Sequence, residues 1–288
     1  MTPSPEGLLL FFAAIGYLGA SVSFSASIFL ERGALASDPE PQRTPIARAG
    51  ILGVAMAAVM HTLAIGVHCA VTHTIPFTNS AQTLSATAWA ISLIILALRV
   101  IQGKAPVAVS AIAMPAAFLC LFTGAVLDKS YPQPQRILPS LDSSLISLHV
   151  IAILFAFGLL ILAFGCAVLY LVQHRILKHK QVRGGLFGRL PSLVLLEHQE
   201  YTLVAMAFPL LTVGLIAGAI RAANGQWPSA SILDLKVLAS ILTWAVYGLY
   251  LTLHAVAHWR GPKANYLLLA GQLVAFLTYF APSTVHSY

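Results

Sequence analysis

Eight apolar runs, each about the length a helix needs to cross a hydrocarbon core of about 30 Å, constrain this chain more than any other feature. They lie at approximately 7–30, 46–72, 84–101, 105–127, 145–173, 201–221, 236–258 and 264–282. In lipid every backbone N–H and C=O must be satisfied within the segment, so runs of this length are read as helices. Together they consume nearly all of the 288 residues and leave no room for a soluble domain. The expectation is an all-α integral membrane protein, a single eight-span bundle over 1–288. Charged residues make up only 9% of the chain and hydrophobic ones 58%, where a soluble domain carries roughly a quarter charged.

The net charge of +7 does not indicate nucleic acid, because the basic residues are unevenly divided between the two sets of loops. After runs 1, 3, 5 and 7 lie Arg32, Arg43, Arg48, Arg99, Lys104, Arg175, Lys178, Lys180, Arg183, Arg189, Arg260 and Lys263. The other set holds Lys129, Arg136, Arg221 and Lys236. Basic residues accumulate on the cytoplasmic side, so both termini are expected on the non-cytoplasmic face of an inner (cytoplasmic) membrane. The first run is expected to remain as a span, since Met1 to Gly7 contains Glu6 and no Lys or Arg, unlike a cleavable leader. The stretch 186–198 is apolar enough to lie along the inner interface as a short amphipathic helix.

Several chemistries find no support. There is no Gly-rich phosphate loop, no HExxH and no GxSxG. Cys69, Cys120 and Cys166 sit inside apolar runs without a CxxC spacing and read as small buried hydrophobes. No acidic residue is expected deep in a span, which argues against an ion-coupled transporter.

Ten histidines in so uncharged a chain carry the remaining chemistry. Imidazole ligates iron, zinc and copper through one neutral nitrogen; the competing role for each is a hydrogen bond to a neighbouring helix. His149 enters run 5 and His286 follows run 8 at the same expected depth. Two such groups are able to hold a haem iron from opposite faces, or to serve as interfacial hydrogen-bonding residues. His61 falls mid-span in run 2, with His68 two turns further along nearly the same helical face. His254 and His258 lie near the inner end of run 7, where reaching the interface costs little. Asp234 and Lys236 form a charged pair at the start of that run, an ordinary arrangement for a helix start.

Three segments resemble the CcsA/CcmC/HemX-like cytochrome c assembly family. The first holds His61, Pro76-Phe77-Thr78-Asn79, Leu84, Ser85 and Ala88-Trp89; the second begins at His149 and includes Leu169-Tyr170-Leu171. The third and most specific runs from Leu190-Pro191-Ser192-Leu193 through Phe208-Pro209-Leu210-Leu211-Thr212, Trp227, Asp234-Leu235-Lys236, Thr243-Trp244 and Trp259-Arg260-Gly261 to His286-Ser287-Tyr288. The resemblance implies haem b as the bound group, His149 and His286 as axial ligands, and a platform around Trp227, Asp234 and Lys236. Lys236, Arg221 or Arg136 would meet the propionates. His61 would be an intramembrane haem contact, with Tyr247 or His254 where a second is sought. Trp227 is the sole Trp of its loop where the family carries several, and Leu235 and Val237 stand where it has Pro and Glu. This reduced motif is closest to the HemX branch.

The leading expectation is therefore a haem-handling membrane protein of cytochrome c assembly. Its partners would be haem, cytochrome c maturation membrane proteins, apocytochrome c and the lipid bilayer. The alternative is a HemX-type non-catalytic regulator of tetrapyrrole synthesis, acting through the basic 174–200 segment. An electron-transfer cytochrome b subunit ranks last, because no other span has a His at the depth of His61.

Overall fold

The computed structural model describes residues 4–30, 45–72, 76–77, 79–101, 107–128, 144–179, 191–223 and 234–280. These form eight α-helices: α1 (Pro5–Leu30), α2 (Pro45–Thr72), α3 (Ser80–Ile101), α4 (Val107–Asp128), α5 (Ser144–Lys178), α6 (Leu193–Ala223), α7 (Leu235–Val256) and α8 (Pro262–Phe280). No strand occurs among the described residues. Each expected run coincides with one helix. Seven of the eight, α1 to α7, are long and apolar enough to cross a membrane. The nineteen-residue α8 is more polar, since Pro262, Lys263, Asn265 and Gln272 share its length. Asn265 and Gln272 are fully buried, so its polarity faces protein rather than lipid.

Two boundaries shift in ways that matter. Helix α5 continues past residue 173 to Lys178, and α6 starts at Leu193 instead of residue 201. The expected interfacial helix over 186–198 is thus corrected in part: Leu193–His198 open α6, while 180–190 lie outside the described residues. Ser192 caps this start, its Oγ accepting the Leu195 N–H at 3.2 Å. As a result Glu197 and Glu200 belong to a candidate span. Glu200, fully buried, lies within this helix about 10 Å from its start.

The helices form two groups of four with the same order of neighbours. In the first, α1 packs on α2, α2 on α3, α3 on α4, and α4 closes back on α1; in the second, α5, α6, α7 and α8 repeat that cycle. Helix α5 joins the groups by packing on α3 and α4. Without a hydrophobic force between helices in lipid, close backbone approach and internal polar bonds drive association. Gly16 and Gly53 provide such an approach: a Cβ on Gly16 would lie 2.8 Å from Ala57 Cβ, and one on Gly53 would lie 3.2 Å from the Gly16 carbonyl. Large apolar side chains such as Phe11, Leu52, Val100 and Leu273 face outward, as lipid requires.

Cross-helix contacts fix the direction of each helix. Glu6 meets His68, Tyr17 meets His61, His149 meets Gly214 and Tyr201 stacks on His254, so successive helices run antiparallel. One end of the bundle therefore gathers the starts of α1, α3, α5 and α7 with the ends of α2, α4, α6 and α8. The opposite end holds Arg48, Arg99, Arg175, Lys178, Arg260 and Lys263 and is termed the basic end below.

Candidate functional site

His149 sits in the second turn of α5, and its environment is made by two glycines of α6. Its Nδ1 lies 2.7 Å from the Gly214 carbonyl. A carbonyl only accepts, so Nδ1–H donates, and the lone pair of the neutral ring resides on Nε2. Gly218, one turn further along, is what allows the ring to lie so close: a Cβ there would stand 2.9 Å from Nδ1 and 3.0 Å from Cε1. Arg221 follows on the same helix, 2% exposed, near enough for its charge to act on the imidazole. A buried guanidinium beside a histidine whose tautomer is fixed by a backbone acceptor is a set suited to an anionic group. An Nδ1–H bound to a carbonyl is the usual support for a metal-ligating histidine.

Across the same end, Asp234 caps α7. Its carboxylate accepts the Lys236 N–H at 2.9 Å, and the residue is buried while Lys236 is half-buried. The alternation of the helices thus brings His149, Arg221, Asp234 and Lys236 to one end of the second four-helix group. Trp227 and His286 lie outside the described residues.

The structure separates the other two expected site histidines from this end. His61 is 1% exposed at the centre of the first group, and both ring nitrogens are engaged. Nδ1 lies 3.0 Å from the Tyr17 hydroxyl and Nε2 3.2 Å from the Ser85 hydroxyl. Tyr17 in turn donates to Ser92 Oγ at 3.4 Å, so a consistent chain has Nδ1–H donating to Tyr17 and Ser85 donating to Nε2. His61 and His68 do share a face, as their spacing indicates: both line a cavity of about 190 Å³ with Glu6, Gln82, Ser85 and Gly124. Tyr17 and Glu6, the partners of His61 and His68, are 44 and 62 residues away in sequence, and no local pattern announces them.

His254 lies at the basic end of α7, eighteen residues from Lys236, or about 27 Å along a helix. Its ring stacks between Tyr201, with centroids 4.4 Å apart, and Tyr250, at 6.0 Å. Tyr247, the other residue named for that role, is fully buried and donates to Gln272 Oε1 at 3.0 Å. Among the described residues no three His, Cys, Asp or Glu side chains converge on a metal-sized site.

A sequence profile described as "Cytochrome C assembly protein" matches residues 77–286, from just before α3 through the residues beyond α8. The chain belongs to the cytochrome c assembly protein family. Its curated relatives include proteins named cytochrome c biogenesis protein CcsA. That of Chlamydomonas reinhardtii is 28% identical over 166 residues, 56% of this chain and 45% of the relative. That of Guillardia theta is 28% identical over 192 residues, 59% of this chain and 62% of the relative. The Trieres chinensis protein is 26% identical over 274 residues, covering 84% and 87%. The chain thus spans less than two thirds of the first two relatives and most of the third. The family region contains the whole second four-helix group and only α3 and α4 of the first, so His149 and its supports fall within it, and His61 does not.

Proposed function

We propose that this protein binds haem at the end of the bundle that holds His149 and handles it for attachment to c-type cytochromes. The observation that carries the reading is the His149 Nδ1–H bond to the Gly214 carbonyl at 2.7 Å. It holds the imidazole in the tautomer whose Nε2 is able to coordinate iron. His286, which follows α8 in sequence, would supply a second ligand, and Trp227 an aromatic surface, while Arg221 and Lys236 would offer positive charge to the propionates. Haem b is cargo here; the protein's own work is to fix one ligand nitrogen and place cationic partners for the acid groups.

The eight helices each cross the inner (cytoplasmic) membrane, with both termini on the non-cytoplasmic side. Among the described residues Arg48, Arg99, Arg175, Lys178, Arg260 and Lys263 gather at the opposite end, and basic residues accumulate on the cytoplasmic side of such membranes. Cytochrome c maturation membrane proteins and apocytochrome c are the partners that this location supplies.

The test is the visible spectrum and haem content of the purified full-length protein beside His149→Ala, His286→Ala and His61→Ala. Loss of the bis-histidine spectrum in the first two, with the third retaining it, supports the assignment. Haem content unchanged by both His149→Ala and His286→Ala overturns it.

A further inference from the structure

The basic end of the second four-helix group carries a cluster that the haem reading does not use. Helix α6 begins at Leu193, so Glu197 and Glu200 lie one turn apart on one face. Glu197 is a rim residue: its Oε1 lies 4.0 Å from Arg260 Nε, and Arg260 is 67% exposed. Glu200 lies one turn deeper, about 10 Å from the helix start. It is 0% exposed, and neither carboxyl oxygen has a hydrogen-bond partner among the described residues.

Among the described residues, the charged group that acts on Glu200 is Glu197, which is also negative. Its electrostatic neighbours are Cys166 and Tyr170 on α5, Tyr250 on α7 and Glu197 on its own helix. Tyr201 and His254 stack beside it at the boundary, and α8 presents the amides Asn265 and Gln272 inward rather than a titratable group. Gln173, two turns along α5 from Cys166 and one from Tyr170, adds a second observation. It is 4% exposed, and its Oε1 also has no partner. Among the described residues no donor reaches either oxygen of Glu200. An ionised carboxylate left bare in such a place costs several kcal/mol or more, so the cluster calls for a positively charged guest. Two carboxylates with neutral oxygens fall short of the six to eight ligands of a calcium-type shell. A proton converts Glu200 into a neutral group and removes the cost of a bare buried charge.

We propose that Glu200 is an intramembrane proton-binding site, filled and emptied from the basic end past the Glu197–Arg260 pair. The reaction is simple: the carboxylate takes one proton from solvent to give the acid and returns it. This site is independent of the haem reading, since it lies toward the opposite end of α6 from Gly214 and Gly218.

Two measurements on the full-length protein in detergent or nanodiscs test it. Infrared difference spectra between acid and alkaline pH are expected to show the C=O stretch of a weakly hydrogen-bonded carboxylic acid. That band should shift in deuterium oxide, be absent from Glu200→Gln and persist in Glu197→Gln. A hydrophobic carbodiimide should modify Glu200, identified by peptide mass, with labelling that falls as pH rises and is unaffected by exchanging sodium for choline. A band present at every pH would mean a permanently neutral structural acid and would overturn the proposal. Protection by sodium would replace the proton with an alkali ion. Absence of any Glu200-dependent band, in a protein whose elution profile shows Glu200→Gln to be folded, would also overturn it.

Discussion

The first four helices and the last four repeat one order of neighbours, and each group uses a Trp on its third helix to bond a Thr on its second. Trp89 Nε1 donates to Thr62 Oγ1 and Trp244 Nε1 to Thr212 Oγ1, both at 2.9 Å. Their interiors differ in how polar groups are satisfied. In the first, Tyr17, His61, Ser85 and Ser92 close a network, His68 meets Glu6, and among the described residues Ser110 Oγ is left unpartnered. In the second, Gln173, Glu200, His254, Asn265 and Gln272 each carry a buried atom without a partner. A histidine with both nitrogens engaged is held as structure. An acid with neither oxygen bonded among the described residues, as Glu200 is, is not held by any such network. The second group is the one that the family match covers in full, and on the proposed function it carries the chemistry while the first serves as scaffold.

The largest effect should come from a single methyl group. Gly218→Ala would place a Cβ 2.9 Å from His149 Nδ1, push the ring from the Gly214 carbonyl and lower haem affinity by about 10–100-fold, as loss of a supporting contact does at other metal sites. Gly66→Ala in α2 is the matched control, because nothing lies within 4 Å of its Cβ position. Haem titration of the two variants reads the difference directly. Equal affinities would remove the distinction between the groups.

Stability should show the reverse ranking. His61→Ala strips partners from the Tyr17 and Ser85 hydroxyls inside the first group, and each buried orphan costs about 1–3 kcal/mol. Glu200→Gln removes no hydrogen bond, so its thermal unfolding midpoint should equal or exceed that of the parent protein. A midpoint lowered more by Glu200→Gln than by His61→Ala would show that Glu200 has an important structural partner.

Between these lies Tyr247→Phe. It deletes the bond to Gln272 Oε1 in a place where Gln272 Nε2 is already unpartnered. A loss of about 1–2 kcal/mol is expected, together with unchanged haem affinity, since Tyr247 lies away from His149. A drop in haem content with retained stability would instead return Tyr247 to the haem path.

Hydropathy made the helices legible because hydrocarbon accepts little else, and all eight runs correspond to helices. It misjudged where α6 begins because an acid lowers a hydropathy window; Glu197 and Glu200 therefore read as a boundary when they are the most unusual part of the span. Histidine counting found His149, His61 and His68. It had no means of finding Gly214 and Gly218, which give His149 its tautomer, because that contact depends on how α5 and α6 pack. The face shared by His61 and His68 followed from helical spacing alone, whereas their partners Tyr17 and Glu6 come from another helix. Arg221 was visible as a charge at a helix end, but its burial beside His149 was not.

The smallest effect tests whether the first group's satisfaction extends to its edge. His68 Nδ1 lies 3.0 Å from Glu6 Oε1, with the two side chains 11% and 36% exposed. A pair this open to solvent is worth about 0–1 kcal/mol, and less as salt rises. Glu6→Gln should therefore shift the unfolding midpoint only slightly, with the shift shrinking at high ionic strength, because the amide oxygen still accepts from an imidazole N–H. The bond also borders the cavity that reaches His61. If Glu6→Gln proved as damaging as His61→Ala, the rim of that cavity would be as tightly built as its floor.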